Sequence, residues 1–205
     1  MTPPILLTGF QPMNDDAVDP TAILMDRLAG EPGVAAALLP PVYDACGDAF
    51  VALLNEHRPL AALCFAASAR SDSVQIERLA WNRDESEQAD AAGSIRLDQP
   101  ILADGPTAYG STLPLPRVMR ELAMAGVPVT FSDFAGGFLG NHLFYRARHA
   151  IDRANLDVPM GFFHMPLLPG QAQAVPGRRG MGLERQELAV RTLATMLRRA
   201  LVPTA

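Results

Sequence analysis

Cysteine is scarce in this chain. Only Cys46 and Cys64 occur in 205 residues, and two thiols at that separation make neither a disulfide framework nor a metal-ligand pair. A reducing cytoplasm is the expected setting. A strong charge of one sign is also missing. Seventeen basic side chains against twenty-two acidic ones leave a net charge of -5, which gives no footprint for nucleic acid or an anionic membrane. No apolar run approaches the length of a membrane span. The opening MTPPILLTGF lacks the basic start and small-residue cleavage site of a signal peptide. No phosphate-cradling glycine pattern and no zinc spacing occurs, so no cofactor and no metal are expected. Linkers, repeats and low-complexity tracts are absent as well, and one domain over residues 1–205 is the simplest reading.

What is present is apolar and punctuated. Hydrophobic residues make up 49% of the chain, the range of globular proteins, and the length suffices for a full α/β core. Short apolar runs alternate with amphipathic ones. Pro4 to Leu7, Val34 to Leu39, Leu60 to Ala66, Val74 to Trp81, Val127 to Phe131 and Val158 to His164 read as strands. Helices are expected after Asp19-Pro20-Thr21, over Asp48 to His57, Leu115 to Ala125, Asn141 to Ala154 and Leu183 to Leu201. Residues 83–106 are a charged, Gly/Pro-bearing excursion, expected to be functional or mobile rather than core. Leu167 to Met181 is a contact segment or flap, or else a disordered surface loop. Alternation of this kind predicts βα units and a mostly parallel sheet with helices on both faces. Ligands of such sheets sit at the carboxyl ends of the strands. The loops to watch follow Leu7, Phe65, Phe131 and Phe163.

Several residues there could carry chemistry. His164 ends a strand, well placed for proton transfer, and equally readable as a core histidine bonded to backbone. Glu77 lies between Ile76 and Arg78 in VQIERLAW. If buried it needs a partner, and His164 would serve. The other reading is a solvent-facing residue of an edge strand. Asn141 and His142 follow Gly140 at a helix start, where backbone N–H groups favour an anion; Asn is also an ordinary cap. Cys64, in a strand, reads as an inert small hydrophobe. Cys46 lies beside Asp44 and Asp48, an acidic setting expected to raise its pKa. Ser68 and Ser111 have no adjacent base in sequence.

These segments together resemble the pyroglutamyl peptidase I, or pyrrolidone-carboxylate peptidase, family. TGFQPM resembles the family's Thr-Gly-Phe-x-Pro-Phe, and Asp19-Pro20-Thr21 its Asn-Pro-Ser. VQIERLAWN is similar to its glutamate strand, and DGPTAYGSTLP to its Gly-Pro-x-x-Tyr-x-Ser-Thr-Leu-Pro. AGGFLGNHLFY resembles Ala-Gly-x-x-Leu-Cys-Asn-x-x-Phe-Tyr, and GFFHMPLLP its histidine strand. The resemblance runs almost end to end. It implies a three-layer α/β/α sandwich around a mostly parallel twisted sheet. It also implies self-association into dimers or tetramers, and descent from cysteine peptidases that remove N-terminal pyroglutamate with a Cys-His-Glu triad.

Carried over by position, the glutamate is Glu77 and the histidine His164, while the nucleophile position is Gly140. The family's oxyanion arginine falls on Glu87, reversing the charge. In the pyrrolidone pocket Phe10 is kept, the second aromatic becomes Met13, and Asn14-Asp15 replace a Gly-Gly. Glycine cannot attack a carbonyl. The reading is therefore a relative without cysteine peptidase activity that binds a small amide, a peptide terminus or a protein partner in the old cleft, with Phe10, Met13, Glu87 and Asn141 as its binding residues. The alternative is a hydrolase of altered chemistry in which Glu77 and His164 activate water. A lesser one is a peptidase using Cys46 or Cys64 brought near His164 by the fold.

Overall fold

The computed structural model describes residues 2–14 and 18–202; Asp15 lies outside them. In chain order the elements are β1 (Ile5–Phe10), α1 (Pro20–Leu28), β2 (Val34–Leu39), α2 (Ala45–His57), β3 (Ala61–Ser68), β4 (Val74–Glu77), β5 (Leu79–Trp81), β6 (Asp84–Ser86), β7 (Arg96–Gln99), β8 (Ala108–Gly110), α3 (Leu115–Met124), β9 (Val129–Ser132), α4 (Leu139–Arg153), β10 (Met160–Pro166), α5 (Pro169–Ala172) and α6 (Leu183–Leu201).

Six strands form the central sheet in the order β2-β1-β3-β10-β4-β9. The first four run parallel. β4 is antiparallel to β10 and parallel to β9. Successive residues of a strand face opposite sides, and both sides are covered here. Ile5, Leu7, Leu63 and Phe163 pack with α1, α3 and α6. Leu6, Cys64 and Phe162 pack with α2 and α4. This is an α/β sandwich with a mostly parallel core sheet. Double coverage explains why β1 and β10 are buried throughout and read as unbroken apolar runs.

Two departures from the sequence reading matter for the site. Val74 to Trp81 is two strands, not one. β4 stays in the main sheet, whereas β5 pairs with β8 in a separate two-stranded sheet. The break falls at Arg78, whose N–H donates to Ser132 O at 2.7 Å and whose carbonyl accepts from Ser111 N–H. These bonds turn the chain out of the main sheet after Glu77.

The second departure concerns the excursion after Arg83. It contains a hairpin of β6 and β7 tied firmly to the body. Asp90 accepts from the N–H groups of Tyr43, Ala92 and Ser94 at 2.8–2.9 Å. Arg96 reaches both Asp44 and the buried Asp84. The hydrogen bond from Arg96 holds the Asp44 carboxyl below the usual carboxylate range. A depressed folded pKa stabilises above the unfolded value, about 3.9, and that stabilisation is lost as pH falls through the folded one. The thermal midpoint should therefore drop less between pH 6 and pH 3 in Asp44→Asn than in the parent. An equal drop in both would show that this pairing does not contribute.

Leu167 to Met181 is likewise anchored. Arg178 donates to the carbonyls of Ala69 and Arg70. Asp72 accepts from the N–H groups of Arg179 and Gly180. The segment buttresses the loop after β3.

Candidate active site

The carboxyl ends of β1, β3 and β10 open into a cleft of about 490 Å³ lined by Phe10, Met13, Arg70, Phe138, Gly140 and His164 among others. Each lining residue is placed by a local cause. Phe10 ends β1 and is held by its N–H bond to Thr21 Oγ1. The Thr21 N–H and hydroxyl both donate to Asp19, the N-cap of α1, at 2.7 Å. Burial pushes the Asp19 carboxyl up, and the Thr21 bonds offset part of that rise.

Glu77 and His164 meet across neighbouring strands. Glu77 is opposite Phe162 in the β4–β10 register, so its side chain shares a face with Phe162 and with His164 two residues on. His164 Nδ1 lies 2.7 Å from Glu77 Oε1, with the carboxylate fully buried. A buried carboxylate requires a donor, which places the proton on Nδ1 and leaves the Nε2 lone pair free. Nε2 points at Gly140: a Cβ built on that glycine falls 2.9 Å from it and 3.3 Å from Phe162 Cζ. Gly140 is the second residue of α4, where N–H groups without intrahelical partners gather. Its backbone φ is not positive, so a side chain would be admitted without backbone strain. At 2.9 Å the His164 ring, which Glu77 pins, would have to shift, and Phe162 Cζ at 3.3 Å would have to give by a few tenths of an ångström.

Arg70 was not singled out as a site residue from the sequence beyond its loop. Its guanidinium lines the cleft, 3.3 Å from His164 Nδ1 and 3.7 Å from Glu77 Oε1. Nδ1 carries the proton, so the guanidinium's attraction is to the Glu77 carboxylate. Arg70 also donates to Phe134 O at 2.9 Å. Its position depends on the folding back of residues 178–180, which no local pattern announces.

Two expected binding residues lie elsewhere. Glu87 is exposed, and its neighbour Gln88 lines the cleft instead. Both residues are exposed on the bend after β6, where Gln88 N–H donates to Ser86 Oγ, and only Gln88 reaches the cleft. Asn141 is fully buried but bonds to protein backbone. Its Oδ1 accepts from Trp81 N–H, and its Nδ2 donates to the carbonyls of Trp81 and Arg83, all within 2.9 Å. It ties β5 to the start of α4.

Neither cysteine lines the cleft. Both are fully buried, and burial pushes each thiol up to about 12. The acidic neighbours Asp44 and Asp84 add only a smaller part at Cys46. A thiol reagent at pH 8 should leave the folded protein unmodified and titrate both cysteines after denaturation; labelling of either in the native state would contradict this burial. Ser68 lines the cleft, but its hydroxyl accepts from the Arg70 N–H groups, and Ser111 donates to Met160 O. Among the described residues no helix is long and apolar enough to cross a membrane, and no cluster of three metal-ligating side chains occurs.

Known proteins share this fold. The family described as pyroglutamyl peptidase matches residues 4–199. The pyrrolidone-carboxylate peptidase of Cupriavidus pinatubonensis is 39% identical over 199 residues, covering 94% of this chain and 92% of that one. The Bacillus licheniformis enzyme of the same name is 36% identical over 171 residues, 82% and 80% of the two chains. The crystal structure of Bacillus amyloliquefaciens pyroglutamyl peptidase I superposes with a TM-score of 0.88 at 28% identity, over 94% of this chain and 95% of that one. A point variant of the Pyrococcus furiosus pyrrolidone carboxyl peptidase gives 0.90 at 28% identity, over 97% and 99%. Over almost its whole length, this chain belongs to the pyroglutamyl peptidase family.

Proposed function

We propose that this protein binds an N-terminal pyroglutamyl group, or a small amide like it, in the cleft without covalent turnover. The observation that carries this reading is Gly140. It supplies no attacking atom where His164 Nε2 is aimed, and no thiol lines the cleft to replace one. The remaining parts fit binding. Phe10 and Met13 offer an apolar wall, and Arg70 and Gln88 offer donors to a lactam or acyl oxygen.

A second reading rests on the Glu77–His164 pair. With Nδ1–H fixed on the carboxylate at 2.7 Å, Nε2 is a competent general base for a water in the cleft. His164 and Gly140 both line the cleft, and turnover by the parent protein is the outcome that separates this reading from the first.

Calorimetric titration with pyroglutamic acid amide, together with hydrolysis of a fluorogenic pyroglutamyl amide, tests both. Binding without turnover is expected. Turnover that disappears in His164→Ala would overturn the non-covalent binding role in favour of water attack. Absence of both binding and turnover would remove pyroglutamyl compounds from consideration.

A further inference from the structure

Phe134 and Gly136 line the cleft, and they also line a second cavity of about 380 Å³ whose other walls include Trp81, Arg83 and Thr107. Phe134 and Gly136 form their common wall. Gly136, held at a φ of 85°, and Gly137 have no side chains there. Gly137 cannot carry one, because a Cβ would collide with the Glu85 carbonyl of β6. The two cavities therefore adjoin at Phe134 and Gly136, with the Arg70 guanidinium 3.8 Å from the Gly136 Cβ position.

The far cavity presents aromatic surface that the core does not use. Phe134 is 57% exposed and Trp81 37% exposed. Neither is loose. The Trp81 indole N–H donates to Asp133 O at 2.9 Å, and the Arg78 guanidinium clamps the Asp133 carboxylate. The Trp81 backbone is bridged on both sides by Asn141, the residue after Gly140. Arg70 holds the Phe134 carbonyl. The platform is thus fixed to the two elements that build the cleft. Arg83 and Glu85 on its rim pair with each other at 3.1 Å, so the rim favours no strong net charge. Oriented, half-exposed aromatic faces beside an occupied pocket favour aromatic or large apolar groups.

We infer that this cavity holds the side chain of the second residue of a bound peptide, and that it selects aromatic residues there. This rests on the reading that the cleft takes a pyroglutamyl group.

The chain contains a single tryptophan, and it stands in this cavity, so its emission reports directly on occupancy. The test titrates the protein with pyroglutamic acid amide, pyroglutamyl-glycine amide and pyroglutamyl-phenylalanine amide, followed by calorimetry and by Trp81 fluorescence. The phenylalanine compound should bind about tenfold tighter than the glycine one, a difference of about 1.4 kcal/mol, and only it should change the emission strongly. In Trp81→Ala the tenfold advantage should fall to near one, and in Trp81→Phe it should largely persist. Equal affinity of the two dipeptide amides in the parent, with the ring amide still binding, would overturn the aromatic subsite and leave the cleft reading standing. An advantage retained in Trp81→Ala would do the same. Failure of all three compounds to bind would overturn the cleft reading, and this inference with it. Should Trp81→Ala not fold, the affinity ratio and the emission change in the parent decide by themselves.

Discussion

Gly140→Cys should convert the protein into a pyroglutamyl peptidase, with turnover of a fluorogenic pyroglutamyl amide on the order of a thousandfold above the parent. The Glu77–His164 half of the catalytic geometry is already in place. The Cβ point lies 2.9 Å from His164 Nε2, so a sulfur one bond further on stands beside a base whose tautomer Glu77 already sets. The start of α4 favours the thiolate, because helix N-termini stabilise negative charge and lower cysteine pKa. Loss of a nucleophile from such a unit costs on the order of a millionfold in a well-adapted enzyme. Recovery of a thousandfold leaves room for an oxyanion site that is not optimised and for the shift required of the His164 ring. Gly140→Ala is the control for packing alone and should show no such rise. Adding Glu87→Arg should change little, because position 87 is exposed and lies outside the cleft lining. A folded Gly140→Cys protein whose new thiol is no more reactive than an ordinary cysteine, and which turns over nothing, would mean that His164 does not serve as a base.

The second large effect concerns stability. Asp84→Ala should cost about 3 kcal/mol, the scale for removing one partner of a buried charged pair, and lower the thermal midpoint by roughly 6–12 °C for a chain of this size. Asp84 and His142 are both fully buried. His142 Nε2 accepts from Asp44 N–H at 3.1 Å, so its proton is on Nδ1 and is donated to Asp84 at 2.8 Å. Removing the carboxylate strands that N–H in the interior and deprives Arg96 of one of its two partners. Asp84→Asn keeps an acceptor for the imidazole and should lose less than half as much. Equal losses in the two variants would show that charge, not the hydrogen bond, is what the site requires. The same pair joins β6 to α4 two residues from Gly140, so the Asp84→Ala variant of Gly140→Cys should also turn over more slowly.

Much of the framework was legible along the chain because it depends on local periodicity. Val34 to Leu39 and Leu183 to Leu201 were bounded correctly by their own punctuation: Pro40-Pro41 after the strand, an amphipathic run through the helix. β3 reads as apolar throughout because helices cover both of its faces. The helix start at Asp19-Pro20-Thr21 was legible because capping is a contact between near neighbours. The break at Arg78 was not legible. Its cause is hydrogen bonding to Ser132 and Ser111, residues remote in sequence, while Val74 to Trp81 alternates well enough for one strand. The order within the excursion after Arg83 was hidden for the same reason, since Arg96 and Asp90 find their partners in the segment just before α2.

The candidate site divides along the same line. By itself the sequence determined which residue types are available: a glutamate in a strand, a histidine at a strand's end, a glycine at a helix start. These are covalent facts that no folding changes, and Gly140 will have no nucleophile in any conformation. Tertiary structure alone decided what those groups face. Sheet register set Glu77 against His164, and the packing of α4 on the sheet set His164 against Gly140. The bend at Ser86 set Gln88 rather than Glu87 at the cleft, and Arg178 fastened the loop that carries Arg70. Side-chain direction depends on strand register and on long-range hydrogen bonds, and both arise only when segments distant in sequence pack together.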